Sequence, residues 1–181
     1  KNLIRIVNFL LKKKIKILFF TRGANKNNFI KNKNLKIINT EPLKKLNFLP
    51  MRWNLAISSM MNLNFYLKEN KKNSIIFSMQ SHIPAIIIAK INQIKIVIRN
   101  SEEPISATFY GDNRILSFFV LFLKIIFYNF SDKIIAISTK SKHSLQKIVL
   151  LKEKVTLIYN PYLEKIFRIK TKIKKKSNNF N

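Results

Sequence analysis

The sequence contains no cysteine, only two glycines and two histidines, and eight carboxylate side chains against 35 Lys and Arg. Without cysteine, disulfide scaffolds, thiolate metal sites and Cys nucleophiles are excluded. Two His and eight carboxylates leave little from which to build a metal cluster. G-x-G-x-x-G and Walker loops are absent, as are G-x-S-x-G and H-E-x-x-H. Dinucleotide, NTPase, serine-hydrolase and zincin readings therefore lack their motifs. Long hydrophobic runs are missing too. The most apolar stretch, Ile115 to Phe130, has 16 residues and contains Lys124, short of the ~20 needed to span a bilayer. It reads as a buried helix or an interfacial one. The first residues show no signal-peptide order of charged, apolar and small-residue regions.

What is present is a chain of 181 residues, 47% apolar, with a formal charge of +27. That length corresponds to about one domain with a real core, and the apolar content argues against disorder over most of the chain. Lys (29), Ile (30) and Asn (22) fill 81 of 181 positions, and Lys outnumbers Arg 29 to 6. All three use A/T-rich codons, so base composition accounts for the pattern at least as well as a nucleic-acid partner does. A dedicated phosphate reader favours Arg, with its bidentate fork. No nucleic-acid partner is expected, whereas peripheral contact of a basic face with an anionic membrane is. The expected location is cytoplasmic, on the inner face of the cytoplasmic membrane.

Two residue periods alternate along the chain. Asn2 to Lys13 carries Leu3, Ile6, Val7, Leu10 and Leu11 at helical spacing. Ile15 to Thr21 reads as a buried strand closed by a turn at Arg22-Gly23, and Leu35 to Asn39 as a second strand. Arg52 to Lys68 reads as a helix. Strands are then expected at Ser74 to Ser78, Ile94 to Ile98, Lys133 to Ile137 and Val155 to Tyr159. Helices are expected between them: Pro84 to Lys90 with Pro in its first turn, Asn113 to Phe130, and Thr139 to Leu150 capped by Ser138 or Thr139. Apolar strands separated by helices indicate a parallel sheet covered on both faces. The expected fold class is α/β, a Rossmann-like three-layer sandwich with a mostly parallel sheet. After Asn160-Pro161 the register is lost, and Lys165 to Lys176 carries seven basic residues.

In an open parallel sheet, ligands sit at the carboxyl ends of the strands. The residues there are Met79 to His82, Arg99 to Pro104, Ser138 to Ser141, and Asn160-Pro161, and the topology predicts that they face one crevice. His82 stands in a strand-to-helix turn, ahead of a helix N-terminus. It reads either as the group that orients or deprotonates a substrate hydroxyl or as a surface or capping His. His143, inside a helix beside Lys142, reads as a solvated face residue. Glu102 and Glu103 read as a base or hydroxyl-binding pair, or as partners of Arg99 or a nearby Lys. Ser138 reads first as a helix cap and second as a phosphate or sugar contact. Pattern alone goes no further than an α/β layer with a polar crevice.

Ser131-Asp132, Ala136-Ile137-Ser138, Leu145 and Val155 through Pro161 follow one another in an order and spacing that resembles family-4-type retaining glycosyltransferases of the GT-B architecture. In that family a helix leads to an "(S/A)D-x-(I/V)-(I/V)-A-(V/I)-S" strand and turn, then a helix, then a strand ending "V-x-V-I-Y-N-P/G". Upstream, Phe77 to Pro104 is similar to the family's preceding strand, turn, helix and strand. The resemblance extends over residues 1 to 181 and is most specific over the last third.

The resemblance implies one half of a GT-B architecture: residues 1–162 as the N-terminal, acceptor-side Rossmann-like domain without the family's first strand, and 163–181 as a basic linker towards a donor-binding domain. It implies transfer of a hexosyl-type sugar from a nucleotide sugar to a cell-envelope glycan or lipid-linked acceptor. The donor is a substrate; no cofactor and no metal is implied. His82 would contact the reacting centre. Ser81, Arg99, Asn100, Glu102, Glu103, Ser138, Lys140, Ser141 and Asn160 would line the substrate cleft. Because the donor half lies outside these residues, the chain alone is expected to be inactive. The alternative from another class is a non-catalytic basic module that binds anionic lipid or nucleic acid.

Overall fold

Val7 and Leu11, one helical turn apart, are the most deeply buried side chains of α1 (Asn2–Lys12), as the apolar spacing of this segment predicts. Lys12 stands in its last turn, where a cation suits the free carbonyls of the helix end. The chain is described from a computed structural model over residues 2–21, 29–48, 50–71, 73–109 and 114–160. The Arg22-Gly23 turn, Pro161 and the basic run Lys165 to Lys176 lie outside them.

The chain divides into two units, one of residues 1–18, 25–36 and 159–181, the other of residues 19–24 and 37–158. In the first, α1 is followed by the start of β1 (Ile17–Thr21), and β1 pairs with β2 (Leu35–Asn39) in a two-stranded sheet. Both strands finish in the second unit. There, α2 (Met51–Asn70) follows Pro50, whose φ of −51° suits the entry to a helix. Buried Asn54 satisfies itself on the backbone of Leu43 and Leu46, pinning the 3₁₀ turn Lys44–Leu46 to the helix.

The second unit is built on a four-stranded parallel sheet of β3 (Ile75–Ser78), β4 (Lys95–Asn100), β5 (Lys133–Ala136) and β6 (Val155–Leu157), in that spatial order. The connections are α3 (His82–Ile91), the pair α4 (Pro104–Phe109) and α5 (Arg114–Tyr128), and α6 (Thr139–Ile148). Ile76, Ile96, Ile98, Ile134, Ala136 and Val155 share one face of the sheet and form the core with Ile86, Ala89, Tyr128, Leu145 and Ile148 of the helices. On the other face, Ile75 (66% exposed) and Phe77 (39%) are uncovered. The alternation is the two-residue period of a strand. All three crossovers step the same way across the sheet, and right-handed connections then place their helices on one side.

The structure moves several boundaries. β4 runs on through Arg99 and Asn100, which pattern assigns to the following turn. Asn100 pairs with Ala136 in register, so the parallel ladder continues past the apolar run. Pro104 opens a separate helix, α4, where the sequence shows only a turn. α3 begins at His82, before Pro84, which sits in its first turn. Ser131 and Asp132 have structural work. The Ser131 hydroxyl donates to the Tyr128 carbonyl at 2.6 Å and closes α5. The Asp132 carboxylate accepts from the Ile96 N–H at 2.8 Å and starts β5 against β4.

Candidate functional site

His82 is the first residue of α3, delivered there by Ser81 in a left-handed conformation (φ 51°). The Ser81 side chain is exposed and makes no capping bond. The imidazole Nδ1 lies 2.9 Å from the Ser78 hydroxyl. That hydroxyl donates its own proton to the Gln80 carbonyl at 2.9 Å. With that proton committed, Ser78 accepts from His82, so Nδ1 carries the hydrogen and Nε2 keeps the lone pair. Burial, with the Lys124 charge second and against the pull of Glu102, lowers the His82 pKa from 6.5 to about 4. The ring is neutral at neutral pH.

The ring stands edge-on to Tyr128, with centroids 5.9 Å apart and planes at 77°. The Tyr128 hydroxyl donates to Asn100 Oδ1 at 3.2 Å. Burial and then Glu102 push its pKa upward, so it stays a donor. The Asn100 amide donates to the Glu102 carbonyl, and that same carbonyl accepts from the Ser141 hydroxyl at 2.9 Å. The Glu102 carboxylate pairs with Lys124 at 3.4 Å. Two hydrogen-bonded groups, Ser78–His82 at the end of β3 and Tyr128–Asn100–Glu102–Ser141 from the end of β4 to the first turn of α6, therefore meet at the edge-on contact of His82 with Tyr128. An open depression of about 230 Å³ adjoins the second group, lined by Glu102, Lys124 and Ser117 with apolar Leu116, Val120 and Leu121.

The sequence candidates divide accordingly. His82, Asn100, Glu102 and Ser141 are brought together in these two groups. Ser138 caps α6, its hydroxyl accepting from the Ser141 N–H at 3.1 Å. Lys140 is exposed beside it. Glu103 is half-buried and immediately precedes α4. Arg99 projects to the opposite sheet face from Asn100, because neighbouring strand residues alternate; half-burial there lowers its pKa. Asn160 belongs to the other unit. His143 is exposed, as expected of a face residue. Among the described residues, no three His, Asp or Glu side chains stand together as metal ligands.

Ser78 and Tyr128 are the members of these groups that pattern reading does not single out. Ser78 ends an apolar strand four residues before His82, and Tyr128 is the lone hydroxyl at the end of a run of Phe, Ile and Leu. A polar group inside an apolar run is the signal that points to them, since burial obliges it to find a partner.

No protein-family model and no curated protein sequence matches the chain. Among solved structures, it is similar to HepE (Alr3699) of Anabaena in its complex with UDP-glucose, and to the same protein in complex with UDP and glucose. In both, identity is 14% and the TM-score 0.53, with 88% of this chain and 40% of the HepE chain covered. The fold is Rossmann-like. The chain spans about two fifths of the length of HepE, 40% in each of these two structures. In Rossmann-like layers, ligands gather outside the carboxyl ends of the strands, and that is where the two groups meet.

Proposed function

We propose that these residues form the acceptor-side half of a GT-B glycosyltransferase that moves a sugar from a nucleotide sugar to a cell-envelope glycan or lipid-linked acceptor. The observation that carries the proposal is the His82–Ser78 hydrogen bond set against the Tyr128–Asn100–Glu102 chain at the strand ends. Two likenesses support it: the family-4-type sequence pattern from Ser131 to Pro161, and a fold similar to that of a protein seen with UDP-glucose. In this reading residues 1–162 are the acceptor-side domain and 163–181 lead towards a donor-binding domain. The location proposed is the cytoplasmic face of the membrane.

In the transfer, the acceptor oxygen bonds to the anomeric carbon and the bond from that carbon to the diphosphate oxygen breaks. The acceptor proton leaves with the diphosphate. His82 Nε2 is suited to accept a hydrogen bond from the acceptor hydroxyl and orient it. With a pKa of about 4, it is too weak a base to hold the proton at neutral pH. Ser78 fixes its tautomer and Tyr128 its ring plane.

The test supplies UDP-glucose and membrane-extracted acceptor to the full polypeptide that contains these residues and follows release of UDP. His82→Ala, which leaves the acceptor hydroxyl unaligned, is expected to lower turnover roughly 100-fold, and His143→Ala to leave it unchanged. The 181-residue chain alone is expected to release none, because one wall of a cleft does not position a donor. Release by the chain alone overturns the two-domain reading. Wild-type turnover in His82→Ala overturns the site.

A further inference from the structure

Ser117, Leu121, Lys124 and Tyr128 recur at i, i+4, i+7 and i+11 and form one stripe of α5. Its C-terminal member, Tyr128, is committed to the core and to Asn100. The other three, with Leu116 and Val120 beside them, line the open depression of about 230 Å³ together with Glu102. The polar groups of the depression are built into the fold. The Glu102 carbonyl accepts from the Asn100 amide and the Ser141 hydroxyl, so the loop that carries the carboxylate is held from both β4 and α6. Lys124 Nζ meets Oε2 of that carboxylate at 3.4 Å, with the Lys124 side chain 15% and the Glu102 side chain 66% exposed. An ammonium has three donors and a carboxylate about four lone-pair sites. A single contact between them leaves most of that capacity for a ligand.

We propose that this depression is a subsite for one uncharged sugar ring of the acceptor, its vicinal hydroxyls on Glu102 and Lys124 and its C–H face on Leu116, Val120 and Leu121. The inference rests on the sugar-transfer reading for what the bound ring is used for; recognition of the ring does not require transfer. Size is the first feature that selects this occupant. A volume of about 230 Å³ lies below the ~300–1,000 Å³ of sites that enclose a drug-sized ligand, which admits one ring and excludes a whole nucleotide sugar. Charge is the second. Glu102 and Lys124 neutralise each other, and no further ionised side chain among the described residues lines the depression. A phosphate therefore finds no net positive charge there, although the chain as a whole carries +27. Amphipathy is the third. An aliphatic chain would strip water from the Glu102–Lys124 pair and return no hydrogen bond. A pyranose presents hydroxyls around its edge and carbon–hydrogen bonds on its faces. The carboxylate accepts from one hydroxyl and the ammonium donates to its neighbour, with Ser117 as a third polar contact. Both charges of the pair act on the His82 ring, so the subsite stands beside the imidazole that orients the acceptor hydroxyl.

The experiment is a methyl-resolved NMR titration of the full chain at about 0.15 M salt, which screens the surface charge, with no nucleotide sugar present. The methyl signals of Leu116, Val120 and Leu121 are followed as the methyl glycosides of glucose, galactose and mannose, glucose 6-phosphate or cyclohexanol are added. At least one glycoside is expected to move these signals and saturate at millimolar concentration. Lys124→Met and Glu102→Gln should each weaken that binding about tenfold, and His143→Ala should leave it unchanged. Cyclohexanol, a ring of the same size with one hydroxyl, should bind about tenfold more weakly, and glucose 6-phosphate no more tightly than the best glycoside. Should a variant fail to fold, nuclear Overhauser contacts in the wild type decide, expected between the glycoside ring protons and the Val120 and Leu121 methyls. Signals that none of the glycosides moves overturn the proposal. So do tighter binding of glucose 6-phosphate, equal binding of cyclohexanol, undiminished binding in both variants, or contacts to methyls elsewhere only. Methyl shifts without UDP release by the full polypeptide uphold the subsite and overturn transfer, and UDP release without methyl shifts does the reverse.

Discussion

Tyr128 donates its hydroxyl to Asn100 Oδ1 across 3.2 Å of buried space. This bond ties the last residue of α5 to the last residue of β4. It also holds the aromatic wall against which His82 rests. Tyr128→Phe removes the hydroxyl and leaves Asn100 Oδ1 without its donor in a site that is 2% exposed. The expected loss is about 1–3 kcal/mol, read as a lower urea midpoint with an unchanged slope.

His82 makes stability depend on pH. Its folded pKa of about 4 lies below the unfolded value of 6.5, so between those two values the unfolded chain binds more protons. Stability is full above pH 6.5 and falls as pH drops towards 4, by roughly 1 kcal/mol per unit at the steepest. His82→Gln should flatten this part of the profile. Urea midpoints at half-unit steps from pH 7.5 to 4.5 would show it, and a slope unaffected by His82→Gln would contradict the burial of a neutral ring.

The Glu102–Lys124 pair acts on the same histidine from both sides: the Lys124 charge lowers its pKa and the Glu102 charge raises it. Lys124→Met should therefore move the His82 midpoint up, and Glu102→Gln should move it further down. Nitrogen-15 shifts of the imidazole, followed through a pH titration, distinguish the two signs. The pair itself is half in water, with Glu102 at 66% exposure, and Lys124→Met should cost no more than about 1 kcal/mol.

Ser138 and Ser141 are close in sequence and differ in what they hold. Ser138→Ala removes the cap of α6 and should cost about 1 kcal/mol without altering the Glu102 loop. Ser141→Ala removes a hydroxyl donor from the Glu102 carbonyl. It should raise amide hydrogen exchange at residues 101–103, and Ser138→Ala should raise exchange in the first turn of α6 instead. Identical exchange patterns in the two variants would contradict this division.

The strands from Ile75 onward are legible because short runs of Ile, Val and Phe bounded by polar residues have few other uses. The cap at Ser138 is legible from its place before a helical run. The end of β4 is not. Arg99 and Asn100 carry no apolar signal, and only pairing with Ile135 and Ala136 of the neighbouring strand extends the ladder over them. α4 is invisible for a related reason: its six residues contain Pro, Thr and Ser and are too short to show a period. Packing against α5 and α6 stabilises it, with the Ile105 N–H on the Ser144 hydroxyl.

By itself the sequence determined the alternation of strand and helix, the α/β class, and the gathering of polar residues at strand ends. Those follow from local periods and from the handedness of the chain. Only the tertiary structure decided which of these polar residues meet, since His82, Tyr128 and Asn100 come together from three different elements. It alone decided the facing of α5 as well. Both of its stripes satisfy helical spacing, and hydrophobicity would have turned Ile115, Phe119, Phe122 and Ile126 inward. Tyr128 in the core, with Leu121 and Phe127 packed against that core and the Tyr128 hydroxyl on Asn100, holds the other face against the protein and leaves Phe118, Phe119 and Phe122 outside.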